Sequence, residues 1–195
     1  MAKRLTSEDL ARGRPDEVRF ARHLVACDHH VIPVFSSGDG GAPMVWLRGG
    51  MAVAADVLSI DPKGRALWVE VKNKGVPGYR YRRIGDTPPG WEHGVNLGLF
   101  NKHYSRLAAR APLWIVVHED QSPPSNDFHP PPPPALPDGK PDYSDYRRHL
   151  VAADRWLTIR FEDAERFGRE QRVWSSGPGW LWPREVMKPF AMRTT

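Results

Sequence analysis

A tight turn sequence divides the stretch AADVLSIDPKGRALWVEVKNK, residues 54–74, into two runs rich in Val, Leu, Ile and Trp. Within the turn DPKG, residues 61–64, the proline fixes its own backbone angle and the glycine tolerates positive φ, so the chain can reverse there. The flanking runs have the length and composition of β-strands, which predicts a β-hairpin. A five-residue connection, residues 61–65, then places Ile60 opposite Ala66 and fixes the register of the whole hairpin.

In this register, charged side chains share one face of the hairpin. Asp56 lies opposite Glu70, and Lys72 is on the same face because strand side chains alternate. Two facing carboxylates about 5 Å apart repel each other unless a proton or a cation lies between them. A hard divalent cation takes oxygen ligands, and the backbone carbonyl of Val71 can complete the set. We therefore predict that Asp56, Glu70 and Val71 bind a hard divalent cation such as Mg²⁺.

Lys72 cannot be a metal ligand, so we expect its side chain to act on a phosphate group or on the water that attacks it. Its ammonium group can hold a phosphate, orient or help deprotonate an attacking water, and offset the charge that develops at phosphorus. Carboxylates, a metal and a lysine together favour hydrolysis of phosphodiester bonds. The alternative is an exposed ion pair between Asp56 and Lys72, with Glu70 facing water.

Charge and composition agree with a nucleic-acid partner without requiring one. The chain has 195 residues, a formal net charge of +5 and a sequence pI of about 9.6, which favours polyanionic partners. No apolar run approaches the roughly 18 residues of a membrane span, and the N-terminus does not resemble a signal peptide. Cys27 is the single cysteine, so neither an internal disulfide nor a cysteine-based zinc site can form. We expect a cytoplasmic protein that does not bind membranes.

Helix and strand signals surround the hairpin. A proline followed by acidic residues predicts the start of the first helix, and Asn96 can cap the second. The expected elements are a helix over about residues 15–28, strands at 29–35 and 44–47 separated by a Gly-rich loop, a helix over about 97–110, and a buried strand at 112–119.

Glu17 lies within the apolar stripe of the first predicted helix. Phe20, Ala21 and Leu24 follow it at spacings of three, four and seven residues, so the stripe should pack on the sheet. An inward-pointing carboxylate needs a partner. The alternative is that Glu17 lies at the edge of the stripe, reaches solvent or serves the helix N-terminus.

The C-terminal half begins with a proline-rich segment. Residues 120–146, which include a run of five prolines, predict an extended, poorly packed loop, and the tail predicts a strand, a short helix and one further strand. We expect one domain over residues 1–195, with a core at about 14–118 and a C-terminal extension at about 150–190. The loop is either an insertion without a function of its own or a motif that a proline-binding domain recognises.

A basic segment with interleaved aromatic residues follows Lys72. Its cations can neutralise phosphates and its rings can stack on bases or sugars, so we predict nucleic-acid contacts there. The alternative is a solvated loop whose tyrosines pack locally. The predicted contact residues are Lys74, Tyr79, Arg80, Tyr81, Arg82 and Arg83, with His103 of the second helix as a further phosphate contact.

The helical Glu17, Asp56 on one strand and the sequence Glu70-Val71-Lys72 on the next resemble the PD-(D/E)xK nuclease superfamily. The resemblance implies a restriction-endonuclease-like α/β fold, a mixed β-sheet flanked by helices with an αβββαβ core and here a proline-rich insertion. It also implies that Asp56 and Glu70 bind Mg²⁺ or Mn²⁺, that Lys72 activates water and that Glu17 supports the metal or the water. Ala55 stands where the family motif has proline.

Within the superfamily, the helical glutamate and the segment SSGDGG are most similar to the archaeal-type Holliday-junction resolvases, where a serine near this position contributes to the site. Ser37 is the corresponding candidate, with Ser36 and Asp39 as alternatives. The long inserted loops differ from the compact resolvases.

These observations lead to one expected function and several alternatives. We expect a metal-dependent nuclease that hydrolyses DNA, with RNA also open as a substrate. The alternatives are a junction resolvase acting as a homodimer, a nucleic-acid-binding module that does not cut, and a partner protein that uses the proline-rich loop.

Overall fold

The computed structural model describes residues 7–34, 43–84, 88–125, 127–132, 134, 137, 146–173 and 177–193. It is a mixed α/β structure in which strands predominate. No helix in these ranges is long and apolar enough to cross a membrane.

The main sheet has six strands. Its order is β1-β4-β5-β8-β9-β12, and all neighbours are antiparallel except β5 and β8, which are parallel. The strand bounds are β1 His30–Pro33, β4 Val57–Ile60, β5 Ala66–Gly75, β8 Leu113–Ser122, β9 Val151–Arg160 and β12 Lys188–Phe190.

A four-stranded antiparallel sheet and a separate hairpin complete the β-structure. The second sheet has the order β10-β11-β7-β6, and the hairpin consists of β2 and β3. The bounds are β2 Met44–Leu47, β3 Gly50–Val53, β6 Gly78–Arg80, β7 Gly90–Asn96, β10 Arg169–Val173 and β11 Gly177–Pro183.

The first helix, α1, spans Ser7–Val25, whereas the sequence predicted residues 15–28. The predicted start was wrong because Pro15 lies inside the helix, although a proline removes one helical N–H and usually marks a helix start. The helix ends earlier than predicted because the chain turns after Val25, where Asp28 takes a left-handed conformation with φ 63°.

The second predicted helix is present, but it is not uniformly α-helical. It consists of α2 (Leu97–Leu99), a π-helical turn (Phe100–Tyr104) and α3 (Ser105–Ala108), which together we call the middle helix. The predicted cap is confirmed, because the Asn96 side chain accepts hydrogen bonds from the N–H groups of Gly98 and Leu99.

The C-terminal part is integrated into both sheets and contains more strands than predicted. After β9 comes a helix, α4 (Phe161–Phe167), and then three strands where one was expected. Strand β9 pairs with β8, and β11 pairs with β7, so residues after 150 complete the sheets that the predicted core begins.

The start of the proline-rich segment is better packed than predicted. The indole N–H of Trp91 donates to the carbonyl of Phe128, and the hydroxyl of Tyr79 pairs with His129 at 2.7 Å. These contacts hold the segment against the second sheet.

The core lies on both faces of the main sheet. On one face, Phe20 and Leu24 of α1 pack against Val69, Val71 and the strands beside them. On the other face, the middle helix and α4 cover a cluster that includes Trp68, Ile115 and Leu157. Because β5 is buried on both sides, polar groups along it need partners within the protein.

Candidate active site

The hairpin register is the one that the sequence predicted. Strands β4 and β5 pair Ile60 with Ala66 and Val57 with Val69, and the turn is closed by a hydrogen bond from the Asp61 N–H to the Arg65 carbonyl. Asp56 directly precedes β4, so one further step along the register brings it opposite Glu70.

The Asp56 carboxylate is held against β5. The Val71 N–H donates to Asp56 Oδ2 at 2.7 Å, and the Asp56 carbonyl accepts from the Val34 N–H at 2.9 Å. In an extended strand, the N–H and C=O of one residue point to the same edge. The Val71 carbonyl therefore lies on the Asp56 side of β5, as its predicted role as a ligand requires.

Glu70 lies at the centre of a buried polar group. Its side chain is only 5% exposed and forms an ion pair with Lys72, whose side chain is 27% exposed. The hydroxyl of Tyr104, from the buried face of the middle helix, hydrogen-bonds to Glu70. The alternative in which Glu70 faces water is therefore wrong, and the expected face shared by Glu70 and Lys72 is confirmed.

Asp56 is held in a strongly perturbed electrostatic environment. Burial and the neighbouring Glu70 carboxylate raise the pKa of Asp56 to about 8, and Glu17 adds to the rise. Lys72 and the Val71 N–H act in the opposite direction without cancelling it. In the absence of a cation, this carboxyl group therefore holds a proton at neutral pH.

The two lysines of β5 differ in pKa, although both are mainly protonated at neutral pH. Burial by itself would lower the pKa of Lys72. The attraction of the Glu70 carboxylate opposes this effect, and the net result is a pKa well above the usual value. Lys74 lies on the same face of β5 and has no carboxylate as close. Burial and repulsion by Lys72 lower its pKa to about 8.

Glu17 contributes to the site from α1. It is half-buried, and its charge acts on Asp56 across the edge of the sheet. Across the described ranges, no three His, Cys, Asp or Glu side chains are close enough together to form a metal site by themselves. A divalent cation between Asp56 and Glu70 would therefore rely on these two carboxylates, the Val71 carbonyl and water, and the repelling pair fits such a positive ion.

The chain matches no family model, curated protein or solved structure.

The basic segment after β5 differs from the predicted nucleic-acid surface. Arg80 is buried in β6, where its Nε atom pairs with Glu92 at 2.6 Å, so its predicted phosphate contact is wrong. Tyr79 packs edge-on against Tyr81 and Trp91, as the alternative of locally packed tyrosines stated. Pairing with β7 turned this part of the expected loop into a strand.

Other predicted contacts have different outcomes. Arg82 and Arg83 are exposed and Lys74 is half-buried, so they remain candidates. His103 is occupied by a structural contact, because its Nδ1 atom accepts from the Val53 N–H at 3.0 Å. Ser37, together with its alternatives Ser36 and Asp39, lies outside the described residues.

A second polar network holds α1 to the opposite face of the sheet. His118 lies between Asp16 and Asp154, at 2.9 Å from each, and stacks on Trp156. The Asn73 amide also donates to Asp16 at 2.6 Å. These contacts fix Asp16, and so they hold the part of α1 that carries Glu17 against the sheet.

A third network lies beyond Lys74 on the site face. Glu119 is fully buried and accepts hydrogen bonds from both Arg184 and Ser122, while His93 lies 2.6 Å away. Burial opposes ionisation of Glu119, but hydrogen bonds from Arg184 and His93 outweigh it and lower its pKa to about 2. Sequence reasoning missed this group because its members come from segments that are far apart in the chain; the local signal was a glutamate, Glu119, at the end of a near-continuous apolar strand.

A cavity of about 920 Å³ lies on the α1 face of the sheet, and neither Asp56 nor Glu70 borders it. It is bordered by Phe20, Leu24, Val69 and Val116, and it extends to the hairpin turn. The side chains of Glu70 and Lys72 therefore lie on the opposite face of β5 from this cavity.

Proposed function

We propose that this protein is a metal-dependent nuclease of the restriction-endonuclease-like type that hydrolyses phosphodiester bonds in DNA. The observation that carries the proposal is the pair formed by the half-buried Asp56 and the buried Glu70, with Lys72 on the same face. Two repelling carboxylates in a partly dry site are costly, and a binding module has no physical need for them.

The order of elements supports the same assignment. Helix α1 is followed by β1, β4 and β5, then by the middle helix and the parallel strand β8, which is the αβββαβ order expected from the resemblance. The hairpin β2–β3 is inserted between β1 and β4, and strands β6 and β7 of the second sheet are inserted between β5 and the middle helix. Asp56 and Glu70 lie where the pairing of β4 with β5 ends.

Asp56, Glu70 and the Val71 carbonyl would hold Mg²⁺ or Mn²⁺. When bound, such an ion supplies a Lewis acid and lowers the pKa of coordinated water. With a positive ion between them, Asp56 and Glu70 could both be ionised, because the repulsion that adds to the effect of burial on the pKa of Asp56 would be relieved.

Lys72 acts as a cation in this site rather than as a base. Its raised pKa keeps the ammonium group protonated at neutral pH, so it holds and stabilises a negatively charged phosphate oxygen. Tyr104 fixes the Glu70 carboxylate, and Glu70 in turn orients the ammonium group. Glu17 adds negative charge beside Asp56, which favours a cation at this edge.

A cleavage assay tests the proposal. Wild-type protein, Lys72→Ala and Lys63→Ala are incubated with labelled single-stranded, duplex, flapped and four-way-junction DNA and with RNA, in Mg²⁺, Mn²⁺ or EDTA. Lys63 is the matched control because it is an exposed lysine at the turn of the same hairpin.

We expect wild-type protein and Lys63→Ala to cut in the presence of metal, and Lys72→Ala to lose at least about a hundredfold in rate, which corresponds to roughly 3 kcal/mol. Binding by the wild type without cutting under every metal condition would refute the nuclease and leave the binding module. Cutting of four-way junctions alone would favour the resolvase.

A further inference from the structure

The hairpin β2–β3 presents an exposed apolar face close to the proposed site. Trp46 is 79% exposed, and Met44 and Met51 are 46% and 44% exposed. Trp46 is paired with Met51 across the two strands, so their side chains share the outer face of the hairpin. We call Met44, Trp46 and Met51 the outer hairpin face.

This face is held rigidly, and it does not result from a loosely attached hairpin. Val45 and Leu47 point inward and pack against the core. The Val53 N–H donates to His103, and the Ala54 N–H donates to the Pro43 carbonyl at 2.8 Å. The hairpin is therefore fixed to the middle helix, and the ring of Trp46 is presented to solvent.

Exposed arginines lie beside the hairpin that carries this face. Arg106 donates to the Met51 carbonyl at 3.1 Å, and Arg110 donates to the Arg48 carbonyl at 3.3 Å. All three arginines are exposed. The sequence contains no Asp or Glu in residues 40–55, which include the hairpin, or in residues 93–118, which include the middle helix. An exposed ring beside exposed arginines is complementary to a ligand that combines a π-face with negative charge.

The hairpin is also connected directly to the proposed site. Strand β3 ends at Val53, three residues before Asp56, and the middle helix that carries Arg106 also carries Tyr104, the partner of Glu70. A strand of nucleic acid bound at Asp56 can therefore reach the hairpin.

We infer that Trp46 is a stacking platform for an unpaired base of the bound nucleic acid, with Arg48, Arg106 and Arg110 contacting the adjacent phosphates. Stacking of a base on an aromatic side chain tolerates any sequence, and the arginines supply the affinity for the backbone. A second copy of the chain fits this face less well, because a two-fold contact would bring the same arginines against each other. The inference rests on nucleic acid being the ligand but not on its being cut.

Fluorescence anisotropy in EDTA tests this inference, because binding is then measured without cleavage. The probes are a single strand, a fully paired duplex of the same length, and that duplex with one unpaired nucleotide. The variants are Trp46→Ala, Trp46→Phe, and Phe167→Ala as the matched control. Phe167 is an exposed aromatic residue beside an arginine on α4, outside the outer hairpin face.

We expect Trp46→Ala to weaken binding of the single strand and of the duplex with the unpaired nucleotide by about tenfold, within the range of stacking energies, and to change binding of the paired duplex by less than about twofold. Trp46→Phe should retain most of the affinity, and Phe167→Ala should match the wild type. Equal loss on all three probes, or no loss on any, would overturn the inference.

Sedimentation of the wild type and Trp46→Ala separates the remaining alternative. Conversion of a dimer to a monomer by Trp46→Ala would assign the outer hairpin face to a second copy and overturn the inference. If Trp46→Ala loses binding of the unpaired probes selectively but the wild type cleaves no substrate, the inference about Trp46 stands and only the proposed nuclease activity is refuted.

Discussion

Replacement of Asp56 by Asn should stabilise the metal-free protein, and the gain should increase with pH. The pKa of Asp56 is about 8 in the folded protein and 3.8 in the reference state. Between these values the folded protein binds more protons at this group than the unfolded chain does, so the wild type loses stability as the pH rises. Asn has no such proton to lose, and it keeps an oxygen that can accept the Val71 N–H.

The size of the effect follows from the same two values. Each pH unit between about 4 and 8 costs at most about 1.4 kcal/mol, so the gain from Asp56→Asn rises by at most roughly 4 kcal/mol between about pH 5 and pH 8. Because the Asp56 carboxylate is only partly shielded from water, we expect the gain from Asp56→Asn to rise by about 2 kcal/mol over this pH range. Above about pH 8 the difference should be constant, because the folded and unfolded states are then both ionised.

Urea denaturation of wild type, Asp56→Asn and the control Asp61→Asn in EDTA measures this difference. Asp61 caps the exposed turn, and hydrogen bonds from Arg65 lower its pKa, so its effect on stability should not change between about pH 5 and pH 8. Added Mg²⁺ should stabilise the wild type at pH 8 and have a much smaller effect on Asp56→Asn. A gain from Asp56→Asn that is the same at every pH would refute the repelling carboxylate pair.

Further predictions concern residues that hold the site and the sheets. Tyr104→Phe should fold normally but lower the cleavage rate by about tenfold, roughly 1.4 kcal/mol, because Glu70 loses a hydrogen bond; an unchanged rate in a single-turnover assay would contradict this. Glu119→Gln should cost about 3–5 kcal/mol in urea denaturation, because Arg184 is left buried without its charge partner. The contribution of Glu119 is fully present above its unfolded pKa of 4.5 and is lost as the pH falls towards about 2, so the cost should diminish in acid. Arg80→Met should destabilise the fold, whereas Arg82→Met should leave stability unchanged and weaken nucleic-acid binding; the reverse pattern in thermal melts and anisotropy would contradict the burial of Arg80.

The sequence determined the hairpin and its charged face. The turn at residues 61–64 and the two-residue period of a strand are local properties, so they set the pairing of Ile60 with Ala66 without help from distant residues. This pairing predicted the positions of Asp56, Glu70 and Lys72, and the cap at Asn96 was equally local. The nuclease itself stays a prediction.

Tertiary structure decided which polar groups became buried and which rings stayed exposed. Tyr104 reaches Glu70 only because the middle helix crosses β5, and Arg80 is buried only because β6 pairs with β7, where Glu92 lies. Trp46 is a large apolar residue of a type usually buried in a core, but Val45 and Leu47 occupy the inward side of its strand, so its ring stays exposed. Such outcomes depend on contacts between segments far apart in the chain. The periodicity of a single strand or helix does not predict these contacts.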